Sequence, residues 1–148
     1  MSGQASSDTK LIFPGLAGFY AAVSDLWYPM LRITAGATLF MHGWAKLHSG
    51  VTPVVGSMVK AGLAPPTAFA YFTIFLETVG AICIVLGLFT RLFAAIIAIE
   101  MAIICFVIMM PAGYFRMEPT LIWGILYFAI ALRGGGPYSL DRVIGKEL

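Results

Sequence analysis

Four apolar runs, each with very few charges, alternate along the chain with short stretches rich in Gly, Pro and ionisable residues. The first, residues 26–47, measures about 33 Å at the helical rise, enough to cross a bilayer core. Ser24 or Asp25 is placed to cap it, and Pro29 is tolerable in its opening turn. The connection that follows, HSGVTPVVGSMVKAGLAPP, is rich in Gly and Pro and has room for one short helix. A second span fits residues 66–88, opened by Pro66 and carrying Glu77 near its middle. Only Phe89, Thr90 and Arg91 separate it from a third span at 92–110, so these two helices are antiparallel neighbours. Pro111 and Gly113 end the third span, and Tyr114, Arg116 and Glu118 fall on an interfacial loop. Pro119 opens a fourth helix to 132, about 21 Å long, which is short for a bilayer unless the helix begins near Tyr114. After Arg133 the run GGGP stops it. The tail YSLDRVIGKEL predicts a last surface helix, capped by Ser139 and with Asp141 near its positive end.

Ahead of the first span, residues 1–10 are polar and do not read as a secretory signal. Residues 11–25 are apolar but broken by Pro14, Gly15 and Gly18, the pattern of a segment lying in the membrane interface with a short helix at 16–23. The organisation expected is a polar tail and interfacial segment at 1–25, a transmembrane bundle at 26–133 and a C-terminal tail at 134–148. The fold class is all-α, an integral membrane four-helix bundle with an interfacial N-terminal segment.

Composition agrees with this pattern. Of 148 residues 60% are hydrophobic and 11% charged, too few polar groups to cover a water-facing surface. The net charge of +2 is small and dispersed, which argues against a nucleic-acid partner and leaves the lipid bilayer as the first one. Lys10, Arg91, Arg133, Arg142 and Lys146 fall on the side of the termini, and Lys46, Lys60 and Arg116 on the other. Five against three places both termini in the cytoplasm. Cys83 and Cys105 sit in apolar runs without CxxC or Cys/His spacing, as buried small side chains do.

The candidate chemistry lies in the charges within the spans. Counted from the terminal side, Arg32 is about 9 Å deep, Glu100 about 12 Å, Glu77 about 17 Å and His42 about 24 Å, with Lys46 at the far interface. Arg32, Gly36, Gly43 and Lys46 share one face of the first helix, with His42 beside it. Glu77 shares a small-residue face with Ala70, Thr73, Gly80 and Ala81, the kind of face on which membrane helices approach closely. Glu77 is therefore expected to point inward and pair with Arg32, His42 or both, either as a functional site or as a polar layer that only fixes which faces meet. Glu100 has two readings. With Ala94, Ala98 and Ala102 inward it faces lipid, a partner subunit or a cofactor headgroup; with the alanines outward it faces the bundle.

No HExxH, GxGxxG or GxxxxGK[ST] motif occurs, so no metal or nucleotide site is expected. His42 and His48 lie on one helix or just past it, so this chain alone cannot supply a bis-histidine haem site, and no covalent cofactor is expected. An apolar bundle with one polar layer suits a quinone, whose carbonyl oxygens would accept from His42 or Arg32.

Arg32, HGWAKL at 42–47, Pro65 and Pro66, Glu77 and Gly80, LGLFTR at 86–91 and GGGPYSLDR at 134–142 together resemble the DoxX family of small membrane proteins. The resemblance implies a four-helix bundle in a bacterial or archaeal cytoplasmic membrane. Family members are linked with thiosulfate:quinone and quinol-oxidising complexes and with oxidative-stress responses. The signature residues it carries over are Arg32, His42, Lys46, Glu77 and Arg91. The stretch before Trp27 is longer than the family pattern and implies an added docking segment. The function expected is an accessory or anchoring subunit of a quinone-linked redox complex, assembled with other membrane subunits. The alternatives are an oxidoreductase component using His42, Arg32 and Glu77, and a small-solute or proton carrier, for which a bundle without internal repeats is poor material.

Overall fold

The computed structural model describes residues 11–147, which fold into helices and turns with no strand among them. Residues 1–10, the expected polar tail, and residue 148 lie outside the described residues. A 3-10 turn at Pro14–Leu16 leads into α1 (Ala17–Val23). Ile12, Phe13 and Phe19 are 89%, 69% and 61% exposed, so this segment buries almost nothing against the bundle and offers its apolar side chains to a bilayer interface.

The long helices are α2 (Trp27–Ser49), α4 (Pro66–Leu86), α5 (Thr90–Ala112) and α6 (Tyr114–Arg133), with short α3 (Thr52–Lys60) between α2 and α4 and α7 (Leu140–Ile144) in the tail. The last three of the long helices are long and apolar enough to cross a membrane. α2 matches them in length, at 23 residues, but carries more polar side chains. It packs along α4, α4 meets α5, and α5 lies against α6. α6 closes the bundle onto α2, where the Tyr127 hydroxyl donates to the Ala35 carbonyl at 3.0 Å and the Arg133 guanidinium lies 4.5 Å from the Tyr28 ring centre. Leu39, Leu76, Ile84, Ile97, Tyr127 and Ile130 fill the shared core. Tyr127→Phe removes only one buried hydrogen bond and is expected to cost about 1 kcal/mol, read as a small drop in melting temperature in detergent.

Glycines set the distance between α2 and α4. A Cβ on Gly36 would lie 2.8 Å from the Ala81 carbonyl oxygen, and one on Gly43 would lie 2.6 Å from the carbonyl carbon and oxygen of Glu77. The two glycines are seven residues apart, two helical turns, so one stripe of α2 rests directly on the backbone of α4.

α4 ends in a Schellman motif: Gly87 adopts a left-handed conformation, Leu88 N–H donates to Cys83 O and Gly87 N–H to Ile84 O. The next residue, Phe89, is also left-handed, with φ of 48°, which is unfavourable for an aromatic residue. No local side chain caps α5. Its cap comes from the tail: Asp141 accepts from Phe89 N–H at 2.7 Å, Thr90 N–H at 2.9 Å and the Thr90 hydroxyl at 2.7 Å. Ser139 caps α7 as expected, accepting from Arg142 N–H. Asp141 lies in that helix's first turn, but its carboxylate serves α5 instead.

Several boundaries differ from those the sequence predicts. Neither Ser24 nor Asp25 caps α2, and the Ser24 hydroxyl instead bonds back to Ala21 O. α6 begins at Tyr114 and carries Pro119 inside it, so the fourth helix is longer than the 119–132 reading. α4 and α5 each contain a π-helical stretch, Leu76–Gly80 and Ile104–Met109, that hydrophobic pattern alone does not reveal.

Candidate functional site

The π-helical stretch of α4 contains Glu77, which is 3% exposed and pairs with Lys46 of α2. Gly43, one turn before Lys46, lets α2 lie on the Glu77 backbone and so brings the two side chains within reach. Only one carboxylate oxygen is used; Oε2 of Glu77 is buried without a hydrogen-bond partner. The pair borders a cavity of about 340 Å³ between α2, α4, α5 and α6. His42, Thr120 and Trp123 supply the rest of its polar and aromatic wall, while Leu39, Met101 and Ile104 are among its apolar side chains. His42 is exposed, so the cavity reaches the surface of the bundle. Its ring meets Trp123 edge to face, with centroids 6.2 Å apart, and Trp123 stacks on Tyr127 at 5.9 Å. Pro119 also lines the cavity, at the place where it removes a backbone donor from the first turns of α6.

The expected pairing of Glu77 with Arg32, His42 or both does not occur, and Lys46 takes that place. Arg32 is 1% exposed at the other end of α2, where it donates to the Tyr138 carbonyl at 2.9 Å and lies beside Gly87. Counting depth from level helix ends placed Arg32 too close to Glu77. α2 begins beyond the end of α4, and the tail from Gly134 to Asp141 fills the step this leaves. Tyr28 donates to Gly134 O there, and Gly136 packs on the Tyr28 ring. Arg32 is 11 residues from Gly43, so it lies about 16 Å along the helix from Glu77. The face shared by Arg32, Gly36, Gly43 and Lys46 is the one that packs; the register along it differs.

Arg91 also belongs to the tail end. It donates to the carbonyls of Ala131, Leu132 and Arg133 at the C-terminus of α6 and to Glu147 at 2.6 Å. Those carbonyls have no partners within their own helix, and a cation there suits the helix dipole. The five candidate residues thus form two groups, His42, Lys46 and Glu77 around the cavity and Arg32 and Arg91 under the tail.

Glu100 is buried, at 8% exposure, and faces α4. Ala98 and Ala102 border instead an outer groove of about 710 Å³ between α5 and α6, with Ala95, Gly124 and Phe128. Glu100 thus turns inward, but the alanine stripe does not turn outward as a unit, because Ala94 is fully buried in the core. Trp123 and Thr120 carried no sequence signal as site residues. Their place follows from the packing of α6 against α2, which sets the Trp123 ring on that of His42 and brings Thr120 to the same cavity.

Among the described residues, no three His, Cys, Asp or Glu side chains converge as a metal site. The fold and this cavity define a small polytopic helical membrane protein with one open polar site inside its bundle. The DoxX family profile matches residues 27–110, more than half of the chain, and the chain belongs to the DoxX family. That stretch holds α2 to α4, all but the end of α5, and every candidate residue read from the sequence, while α6 with Thr120 and Trp123, and the tail, lie beyond it. No match was found among curated proteins or among solved structures.

Proposed function

We propose that the chain is an accessory membrane subunit that offers a quinone-headgroup site to a redox complex and carries no electron carrier of its own. The observation that supports this most is the cavity of about 340 Å³ that places Lys46, His42 and Thr120 as donors, the free Oε2 of Glu77 as an acceptor and Trp123 as an aromatic wall. Its volume is in the usual range for a small-molecule site, roughly 300–1,000 Å³. A quinone supplies two carbonyl oxygens that accept hydrogen bonds and, once reduced, two hydroxyls that donate them. Lys46 and His42 would bind the carbonyl form, and Glu77 Oε2 would accept from the hydroxyl form. Leu39 and Met101 keep water from the ring, and the opening at His42 leaves the isoprenoid tail a path out between helices.

The outer groove between α5 and α6 supports the accessory part of the reading. It is apolar and floored by Ala95, Ala98, Ala102 and Gly124, small residues that let another helix approach closely. We place both termini on the cytoplasmic side of a bacterial or archaeal inner membrane, because Arg91, Arg133 and Arg142 gather at the tail end.

The test is fluorescence in lipid nanodiscs with Trp27 and Trp44 replaced by Phe, leaving Trp123 as the reporter. A short-chain ubiquinone is expected to quench saturably, and His42→Ala to weaken the apparent affinity about tenfold, the loss of one good hydrogen bond. Quenching that rises linearly with quinone in the membrane and ignores both His42→Ala and Glu77→Gln would overturn the proposal.

A further inference from the structure

Among the described residues Glu100 is the buried acid with no hydrogen bond to either carboxyl oxygen. It borders a narrow cavity of about 80 Å³ between α3, α4 and α5, where Thr73, itself 5% exposed, is the other polar side chain. Met58 of α3, Leu63 of the turn that follows it, and Phe69 and Phe72 of α4 close the walls. The lining is otherwise apolar, but the Glu100 carboxyl and the Thr73 hydroxyl supply the polar partners that a water in this space would need. The charged groups nearest Glu100 are Glu77 and Lys46, and Lys46 is already engaged by Glu77. Tyr127 of α6 is the next titratable neighbour. An ionised Glu100 would be a charge without a counter-charge in an apolar setting, so the cavity accommodates the neutral acid.

The two cavities are adjacent. Ile104 lines both, so one aliphatic side chain stands between the Glu100 cavity and the Lys46–Glu77 cavity. It belongs to the π-helical stretch of α5, as Glu77 belongs to that of α4. On the far side of Ile104 waits the unpartnered Oε2 of Glu77.

We propose that Glu100 is a proton store for the Lys46–Glu77 site, linked to it through the Thr73 hydroxyl, cavity water and the free oxygen of Glu77. The proposal rests on the quinone reading and adds the source of one proton. Quinone reduction takes two electrons, supplied by the redox partner, and two protons. In the step assigned here the O–H bond of Glu100 breaks, the proton passes by way of Glu77 Oε2, and a new O–H bond forms on one quinone oxygen. The second proton comes from water at the open side by His42. Glu100 is left as a carboxylate and is reprotonated from water; quinol oxidation runs the same path backwards. Glu100 is a positioning and proton-holding residue and does not touch the ligand.

Infrared difference spectroscopy on the full chain in nanodiscs, with a short-chain ubiquinone cycled electrochemically, tests this. The expected result, followed in time after each potential step, is a carboxylic-acid carbonyl band that shifts on deuterium exchange, is lost in Glu100→Gln, moves in Glu77→Gln and bleaches transiently on quinone reduction before reprotonation restores it. Glu100→Asp, with an unchanged melting temperature, should keep a displaced band and so separate proton storage from folding. A wild-type spectrum without the band, or a band that persists in Glu100→Gln, overturns the proposal. So does a band that ignores the quinone's redox state while saturable Trp123 quenching is intact. Absence of quenching overturns the quinone reading, and the ligand named here with it; that failure is distinguishable because Trp123 quenching is measured independently of the infrared band.

Discussion

Asp141→Ala is expected to destabilise the bundle by about 3 kcal/mol or more, although residue 141 lies outside every membrane span. Asp141 is 1% exposed and its carboxylate satisfies two backbone amides and one hydroxyl at the start of α5. Without it the Thr90 amide remains buried and unpaired, at roughly 1–3 kcal/mol, and the part-buried Phe89 amide and the Thr90 hydroxyl lose their partner as well. The negative charge at a helix N-terminus is lost as well, and the left-handed Phe89 loses the contact that holds it. Asp141→Asn keeps one acceptor oxygen and should cost about half as much. Thermal unfolding in detergent and protease cleavage after Arg142 read the effect; an unchanged melting temperature together with an uncleaved tail would show that the clamp does not hold the fold.

Gly43→Val should be at least as damaging, and for a different reason. The nearest atoms to the added Cβ are the carbonyl carbon and oxygen of Glu77, backbone that cannot rotate aside. α2 and α4 must part, and Lys46 then no longer reaches Glu77. A buried carboxylate that loses its partner costs about 3–5 kcal/mol. The expected result is a large fall in melting temperature and loss of saturable Trp123 quenching. Gly56→Ala is the control: on α3 an added Cβ meets nothing within 4 Å, so the change should be neutral or stabilising by under about 1 kcal/mol. Equal effects from the two glycines would mean that close packing at Gly43 has no special weight.

Helix number, order and inward faces were legible because hydrophobic runs and small residues repeat with the helical period. Gly36, Gly43 and Lys46 announce the packed face of α2, and Glu77 and Ala81 announce its counterpart on α4. What period cannot supply is the sliding of one helix along another. That offset depends on the glycine-rich tail filling the step beside Tyr28, a contact between residues more than a hundred positions apart. The same limit hid the role of Asp141, whose position after Ser139 fits a local cap equally well. It also hid Trp123, which becomes a site residue only through the packing of α6 against His42 of α2. A π-helical stretch leaves no mark in hydropathy, so the insertion at Glu77 was invisible too.

Asp141 follows the residues it satisfies by 52 and 51 positions. A ribosome delivers α4 and α5 to the bilayer before it makes that carboxylate, so the turn between them waits with its amides unpaired until the tail segment follows. Final closure therefore trails the insertion of α5, and a nascent chain stalled before residue 134 should remain sensitive to proteolysis at Arg91 until the segment carrying Asp141 emerges.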